Sequence, residues 1–174
     1  MEKDKLNYVV VTGIIVKDGK FLVVKRSLKE KAFPSLWTVP GGKLRTSDYI
    51  DTPKDTSDQW YNVLEKLLIR EIEEEVGLRI KNIRYLLSLS YIRSDGLPTV
   101  IISLYCDWSK GKVKLCKDLT DYAWISAKEL KNYEFLPGLR EEIEMVDKIL
   151  KGKKPRIWSG KYDSPLGKSK RDGK

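Results

Sequence analysis

Residues 62–78, NVLEKLLIREIEEEVGL, admit few structures other than a helix that carries acids along its inward side. Apolar side chains recur at Leu64, Leu67, Leu68 and Ile72 with helical spacing, no proline interrupts them, and Gly77 stands where a left-handed C-terminal cap belongs. Asn62 is the predicted N-cap, with Glu65 three residues on as its capping partner. At about 100° per residue, Glu71 and Glu75 fall within about 40° of the line through Leu64 and Leu68, and Glu74 lies at the edge of that stripe. Glu65 and Glu73 point to solvent. A charge-rich surface helix accounts for Glu73 but not for acids in line with leucines. Three carboxylates at i, i+3 and i+4 repel one another unless a cation lies between them, and hard oxygen ligands of this kind suit Mg²⁺ or Mn²⁺.

The run Arg70-Glu71-Ile72-Glu73-Glu74-Glu75-Val76-Gly77-Leu78 resembles the second half of the Nudix box, G-x5-E-x7-R-E-U-x-E-E-x-G-U with U aliphatic, and fits it at every constrained position. Trp37-Thr38-Val39-Pro40-Gly41-Gly42-Lys43 is similar to the W-x-x-P-G-G-K lead-in of the same family. Between Gly42 and the place of the first box glutamate, taken here as Asn62, lie nineteen residues instead of five. Asp121 to Leu130 resembles a further family landmark, an acid before W-U-x-x-x-E-L. The resemblance spans residues 8–150.

Length agrees with one domain: 174 residues suffice for a single core and are too few for two ordinary ones. The expected division is a domain over 1–150, with 44–61 as an inserted loop, followed by a basic, disordered tail over 151–174. The net charge of +9 belongs mostly to that tail, because residues 151–174 hold nine Lys or Arg and two Asp, which leaves 25 basic against 23 acidic residues before it. Nucleic acid is therefore a minor expectation for the tail, where Trp158 and Tyr162 interleave with the basic residues. No apolar run reaches the roughly 20 residues a membrane span needs, and the start lacks a cleavage-site pattern, so a cytoplasmic protein without membrane contact is expected. Cys106 and Cys116 lack zinc-site spacing and read as reduced thiols. With no histidine in the chain, acid–base work falls to carboxylates, lysine, tyrosine or a metal.

Along the chain, residues 8–16 and 20–25 read as strands joined by the Lys17-Asp18-Gly19 turn, followed by a polar loop and a short strand over 36–39. Pro40-Gly41-Gly42 ends that strand and allows close backbone approach. The inserted loop has aromatic ends, Tyr49, Trp60 and Tyr61, and two readings of it stand: a substrate-facing flap, or an ornament packed on the outside. Strands follow over 80–83, 85–93, 99–108, 113–115 and 122–125. Ser126 caps a brief helix over 127–130, and 139–150 forms a last amphipathic helix through Leu139, Ile143 and Val146. Strands mixed with two helices in this order argue for an α/β fold with a mixed sheet covered on both faces, the α/β/α sandwich that the Nudix resemblance also implies.

The resemblance further implies a hydrolase that cleaves a pyrophosphate bond in a nucleoside diphosphate-linked substrate, a nucleoside triphosphate by default. Mg²⁺ or Mn²⁺ is the implied cofactor, held by Glu71, Glu74, Glu75 and the Gly42 carbonyl. Arg70 is expected to orient an acid, and the general base to come from Glu71, Glu75, Asp118 or Asp121. Tyr8, Trp37, Tyr91 and Phe135 are the aromatic residues available to stack on a base. The alternative is a Nudix-fold module that binds nucleotide or nucleic acid without hydrolysis.

Overall fold

The turn Lys17-Asp18-Gly19-Lys20 folds the first two strands onto each other. Asp18 and Gly19 take φ of 49° and 72°, the left-handed pair that matches the twist of hairpin strands, so β1 (Tyr8–Lys17) and β2 (Lys20–Arg26) run antiparallel. In the computed structural model, which describes residues 6–154, the chain continues through β3 (Trp37–Thr38), β4 (Gly41–Lys43), a 3₁₀ turn (Thr46–Asp48) and α1 (Val63–Val76). It then adds β5 (Arg79–Ile92), β6 (Pro98–Lys110), β7 (Leu119–Ile125), a 3₁₀ helix (Ala127–Asn132) and α2 (Leu139–Leu150). The sheet has the order β3-β2-β1-β6-β5, with β4 also on β1 and β7 also on β2. Among the described strands β1 and β6 pair in parallel and the other pairings are antiparallel, with one isolated parallel bridge between Trp37 and Phe135.

Alternation along the strands divides the core in two. Val11 and Ile15 of β1, Leu22 and Val24 of β2, and Leu104 and Cys106 of β6 pack with Leu67, Leu68, Ile72 and Val76 of α1. Their neighbours Ile14, Val16, Phe21, Val23 and Tyr105 pack with Leu139, Ile143 and Val146 of α2 on the other face. Each such side chain contributes roughly 1.5–3 kcal/mol by leaving water, which holds α1 on the sheet whatever its charge. The mixed-sheet α/β fold expected from the sequence is the fold observed.

Several local expectations are corrected. The strands placed at 80–83 and 85–93 are one strand, β5, with irregular pairing near Asn82, whose φ is 53°. No strand forms over 113–115: after β6 the chain runs along the end of α1, where the N–H groups of Lys114 and Cys116 donate to the Val76 and Glu75 carbonyls, both at 2.9 Å. Those carbonyls have no partner inside the helix, so the segment serves the helix end rather than the sheet. Asn62 stands at the N-cap position of α1 and its carbonyl accepts from Lys66 N–H at 2.9 Å, but its backbone is left-handed at φ 55° and its side chain makes no cap hydrogen bond. The helix over 127–130 is 3₁₀. Residues 155–174, most of the basic tail, lie outside the described residues. No helix among the described residues is long and apolar enough to cross a membrane.

Candidate functional site

The C-terminal half of α1 lies against the two glycines of β4. Gly41 N–H donates to Glu75 Oε2 at 3.0 Å. A Cβ placed on Gly42 would stand 2.1–2.5 Å from the Glu71 carboxyl group, so only glycine lets that acid come so near the backbone. Glu71 and Glu75, in line with the leucines, therefore flank the Pro-Gly-Gly turn. Burial pushes the Glu75 carboxyl up to about 7; the Gly41 N–H opposes this, Glu71 and Asp118 add to it, and Arg26 opposes it. Glu73 is exposed, 3.8 Å from Arg79 on the far side of the helix.

Arg70 collects carboxylates. Its Nη2 donates to Glu71 Oε1 at 2.8 Å and its Nη1 to Glu74 Oε2 at 2.8 Å. A third acid, Asp48, meets Nη2 at 3.0 Å with a side chain only 11% exposed. Burial disfavours the guanidinium charge, yet Glu71, Asp48 and Glu74 together raise its proton affinity. Asp48 belongs to the inserted segment and was not foreseen, although a signal was present. It stands six residues after Gly42, where G-x5-E puts an acid, so the extra residues fall between that acid and the helix.

The rest of the insertion packs mostly on itself. Tyr49 lies against Trp60 with ring centroids 5.4 Å apart, Trp60 Nε1 donates to the Thr52 carbonyl, and Asp55 meets Lys66 of α1 at 3.3 Å. Its first turn thus reaches the site through Asp48, while residues 51–59 are exposed.

Asp118 is exposed on the segment tied to the end of α1, and Ser27 N–H donates to its carbonyl at 2.9 Å. Its charge is near enough to raise the Glu75 carboxyl. Asp121 is also exposed, but its carboxylate accepts from Tyr122 N–H at 2.8 Å. Among the described residues no three acids converge into a ready cage. Glu74, expected beside Glu71 and Glu75, is held outward by Arg70 with its side chain 58% exposed. The donor set nonetheless fits a hard divalent ion. Glu71 and Glu75 are buried or half-buried oxygen donors whose mutual repulsion is relieved only in part, and they face a backbone stripped of side chains.

On the opposite face of the sheet, a cavity of about 550 Å³ opens between β5, β6 and the start of α2. Leu87, Leu89, Tyr91, Ile101, Pro137 and Phe33 give it an apolar lining, with Glu142 among them. Glu142 accepts a 2.6 Å hydrogen bond from Ser103, whose oxygen in turn accepts from Thr12 at 3.4 Å. Thr12 pairs with Gly41 across β1 and β4. Of the four aromatic residues singled out from sequence, Tyr91 lines this cavity. Tyr8 is exposed under Arg93, Trp37 meets Tyr133 edge-on at 4.8 Å, and Phe135 packs into the α2-side core. Phe33, which does line the cavity, had no sequence signal beyond its place in a polar loop.

The family profile described as NUDIX domain matches residues 7–146. Nucleoside triphosphatase NudI of Escherichia coli (strain K12 / DH10B) is 26% identical over 146 residues, covering 78% of this chain and 94% of that protein. The same enzyme of Klebsiella pneumoniae (strain 342) is 26% identical over 142 residues, covering 75% and 90%. Among solved structures, a MutT NUDIX hydrolase from Burkholderia pseudomallei superposes with a TM-score of 0.65 at 23% identity, covering 82% of this chain and 99% of that one. The NUDIX domain of Shewanella oneidensis NrtR, complexed with ADP ribose, gives 0.62 at 20% identity, with 84% and 90% covered. With the acid helix set against a Pro-Gly-Gly turn and the domain profile matched over most of its length, the chain belongs to the Nudix family and is a Nudix-type pyrophosphohydrolase.

Proposed function

We propose that the protein hydrolyses a nucleoside triphosphate or a closely related nucleoside diphosphate-linked compound with the help of Mg²⁺ or Mn²⁺. The observation that carries this reading is the placement of Glu71 and Glu75 against Gly41 and Gly42, with Arg70 gripping Glu71. Water attacks one phosphorus, the bridging P–O bond breaks, the leaving phosphate takes that electron pair, and the water proton passes to a carboxylate. A bound divalent ion supplies charge neutralisation for the phosphate oxygens and acidifies the water. Glu71, Glu75 and the Gly42 carbonyl are the groups that would hold it, with Glu74 available if Arg70 releases it.

Arg70 fixes the Glu71 rotamer. Asp118 is the preferred base, because its charge reaches Glu75 while the Asp121 carboxylate is engaged by backbone. The similarity to proteins named nucleoside triphosphatase supports the choice of substrate, and the apolar cavity on the other face of the sheet has the size to take its base. A module that only bound nucleotide would gain nothing from acids that repel one another on a packed helix face.

The test is a panel of nucleotides and nucleotide sugars incubated with Mg²⁺ in ¹⁸O water. Products carrying ¹⁸O on phosphate, and no turnover in excess EDTA, are expected. Undiminished turnover in EDTA would remove the metal from the reading.

Asp48→Asn removes one of the three acids around Arg70 and is expected to lower kcat about tenfold, with Asp48→Glu restoring part of it. Stability should move by no more than about 1 kcal/mol, since Arg70 keeps two partners. Full kcat in Asp48→Asn would reduce the insertion's contact with Arg70 to a packing detail.

A further inference from the structure

Glu142 is 5% exposed and occupies a position in the apolar stripe of α2, beside Leu139, Ile143 and Val146. A carboxyl group taken out of water is costly unless it is hydrogen-bonded. Glu142 has one such bond, from Ser103 to Oε2; Oε1 is not among the buried atoms left without a partner, so it stays open to the cavity that Glu142 lines. A strut that merely fastened α2 to β6 would need only the bonded oxygen.

Phe33 lines the same cavity, and Thr99 lies beside it, paired with the cavity residue Tyr91 across β5 and β6. Phe33, a bulky residue, is held at φ 51° while it forms part of the cavity wall, a strained backbone region that persists where the surroundings enforce it. Thr99 lies two residues before Ile101 on the same face of β6, 1% exposed, and its hydroxyl has no partner. The cavity volume lies within the range that takes a small organic ligand, and an apolar box with one polar corner suits a flat heterocycle with a single hydrogen-bonding edge.

We infer that Glu142 is the specificity-determining residue of this cavity and selects bases that bear an exocyclic amino group, as adenine, cytosine and guanine do. This rests on the nucleotide reading above. An amino N–H donates to a carboxyl oxygen whether the acid is ionised or neutral. Uracil and thymine carry carbonyl oxygens in the corresponding places, and these repel an ionised carboxylate. Burial pushes the Glu142 carboxyl upward, the Ser103 hydroxyl opposes this, and the Glu141 charge adds to it; the ionised form discriminates, since a neutral carboxyl can donate its own O–H to a carbonyl oxygen.

Matched substrates isolate the amino group: CTP against UTP, and ATP against ITP. The wild-type protein should favour the amino-bearing member by at least tenfold in kcat/KM, mostly through KM. Glu142→Leu should bring both ratios to about 1. Glu142→Gln, which keeps an accepting oxygen and the shape, should retain part of the preference; it also carries the test if the leucine variant fails to fold, as judged by circular dichroism and Tm.

Ratios near 1 in the wild type, ratios that survive in both variants, or equal losses on all four substrates would overturn the assignment. If no nucleotide is turned over at all, the hydrolase reading fails instead. Calorimetric titration of cytidine and uridine in EDTA then tests the cavity alone, with tighter cytidine binding that Glu142→Leu abolishes as the supporting result and equal binding as the refuting one.

Discussion

Glu75→Gln is expected to lower turnover at saturating Mg²⁺ by about 10² or more, a barrier increase of roughly 2.7 kcal/mol, while making the metal-free protein more stable. Both effects come from one placement. Glu75 lies on the packed side of α1, bonded to Gly41 N–H and close to the charges of Glu71 and Asp118. Its carboxyl binds protons up to about 7 in the folded chain, against an ordinary value of 4.5. Between those two pH values the folded state holds more protons than the unfolded state, so metal-free stability falls as pH rises through that window.

The cost at pH 8 is of order 3 kcal/mol, and a glutamine removes much of it while giving up the charge on the Gly41 bond. Urea unfolding in EDTA should therefore find Glu75→Gln more stable than wild type by about 1–3 kcal/mol at pH 8 and nearly equal to it at pH 4.5. Glu73→Gln, on the exposed side, should change neither turnover nor stability. Full activity in Glu75→Gln, or loss of activity only through unfolding, would end the reading of α1 as a metal platform.

The sequence made part of this site legible because part of it is local. Arg70 to Glu75 lie on consecutive turns of one helix, so their directions follow from 3.6-residue periodicity, and two of the three acids on the inward stripe do meet the glycine turn. Glu74, at the edge of that stripe, belongs to Arg70 instead, because an i,i+4 ion pair at 2.8 Å outweighs a nominal angle.

Asp48 was missed for a different reason. With an insertion in the box, the gap could be opened before or after the first acid, and the sequence alone does not choose; the 3.0 Å contact of Asp48 with Arg70 is visible only in three dimensions. Asn62, at the N-cap position of α1, adopts a left-handed backbone and makes no side-chain cap. Phe33 and Glu142 come from a loop and from the second helix, more than a hundred residues apart, and meet only through the β5–β6 sheet. The β sheet itself was readable from alternation, whereas 113–115 looked like a strand because its apolar residues pack near α1 without joining a ladder.

The two adjacent glycines of β4 should respond to the same substitution in opposite ways. At Gly42 an added methyl meets the end of a side chain, the Glu71 carboxyl at 2.1–2.5 Å, which can swing aside. Gly42→Ala should therefore keep its fold, with stability within about 1 kcal/mol of wild type, while turnover falls by about 10² because Glu71 leaves both the turn and Arg70 Nη2. At Gly41 the methyl meets backbone, the Val11 carbonyl oxygen at 2.2 Å and Thr12 Cα at 2.8 Å, and backbone in a paired central strand cannot give way. Gly41→Ala is expected to cost about 2–4 kcal/mol, at or above the usual range for overpacking, and to lose activity as the fold loosens. Urea unfolding and turnover on both variants check the pair. Equal losses of stability would mean that Glu71 is fixed by the fold rather than poised at the glycine turn, and an active Gly42→Ala would place the reacting phosphate somewhere other than between this turn and α1.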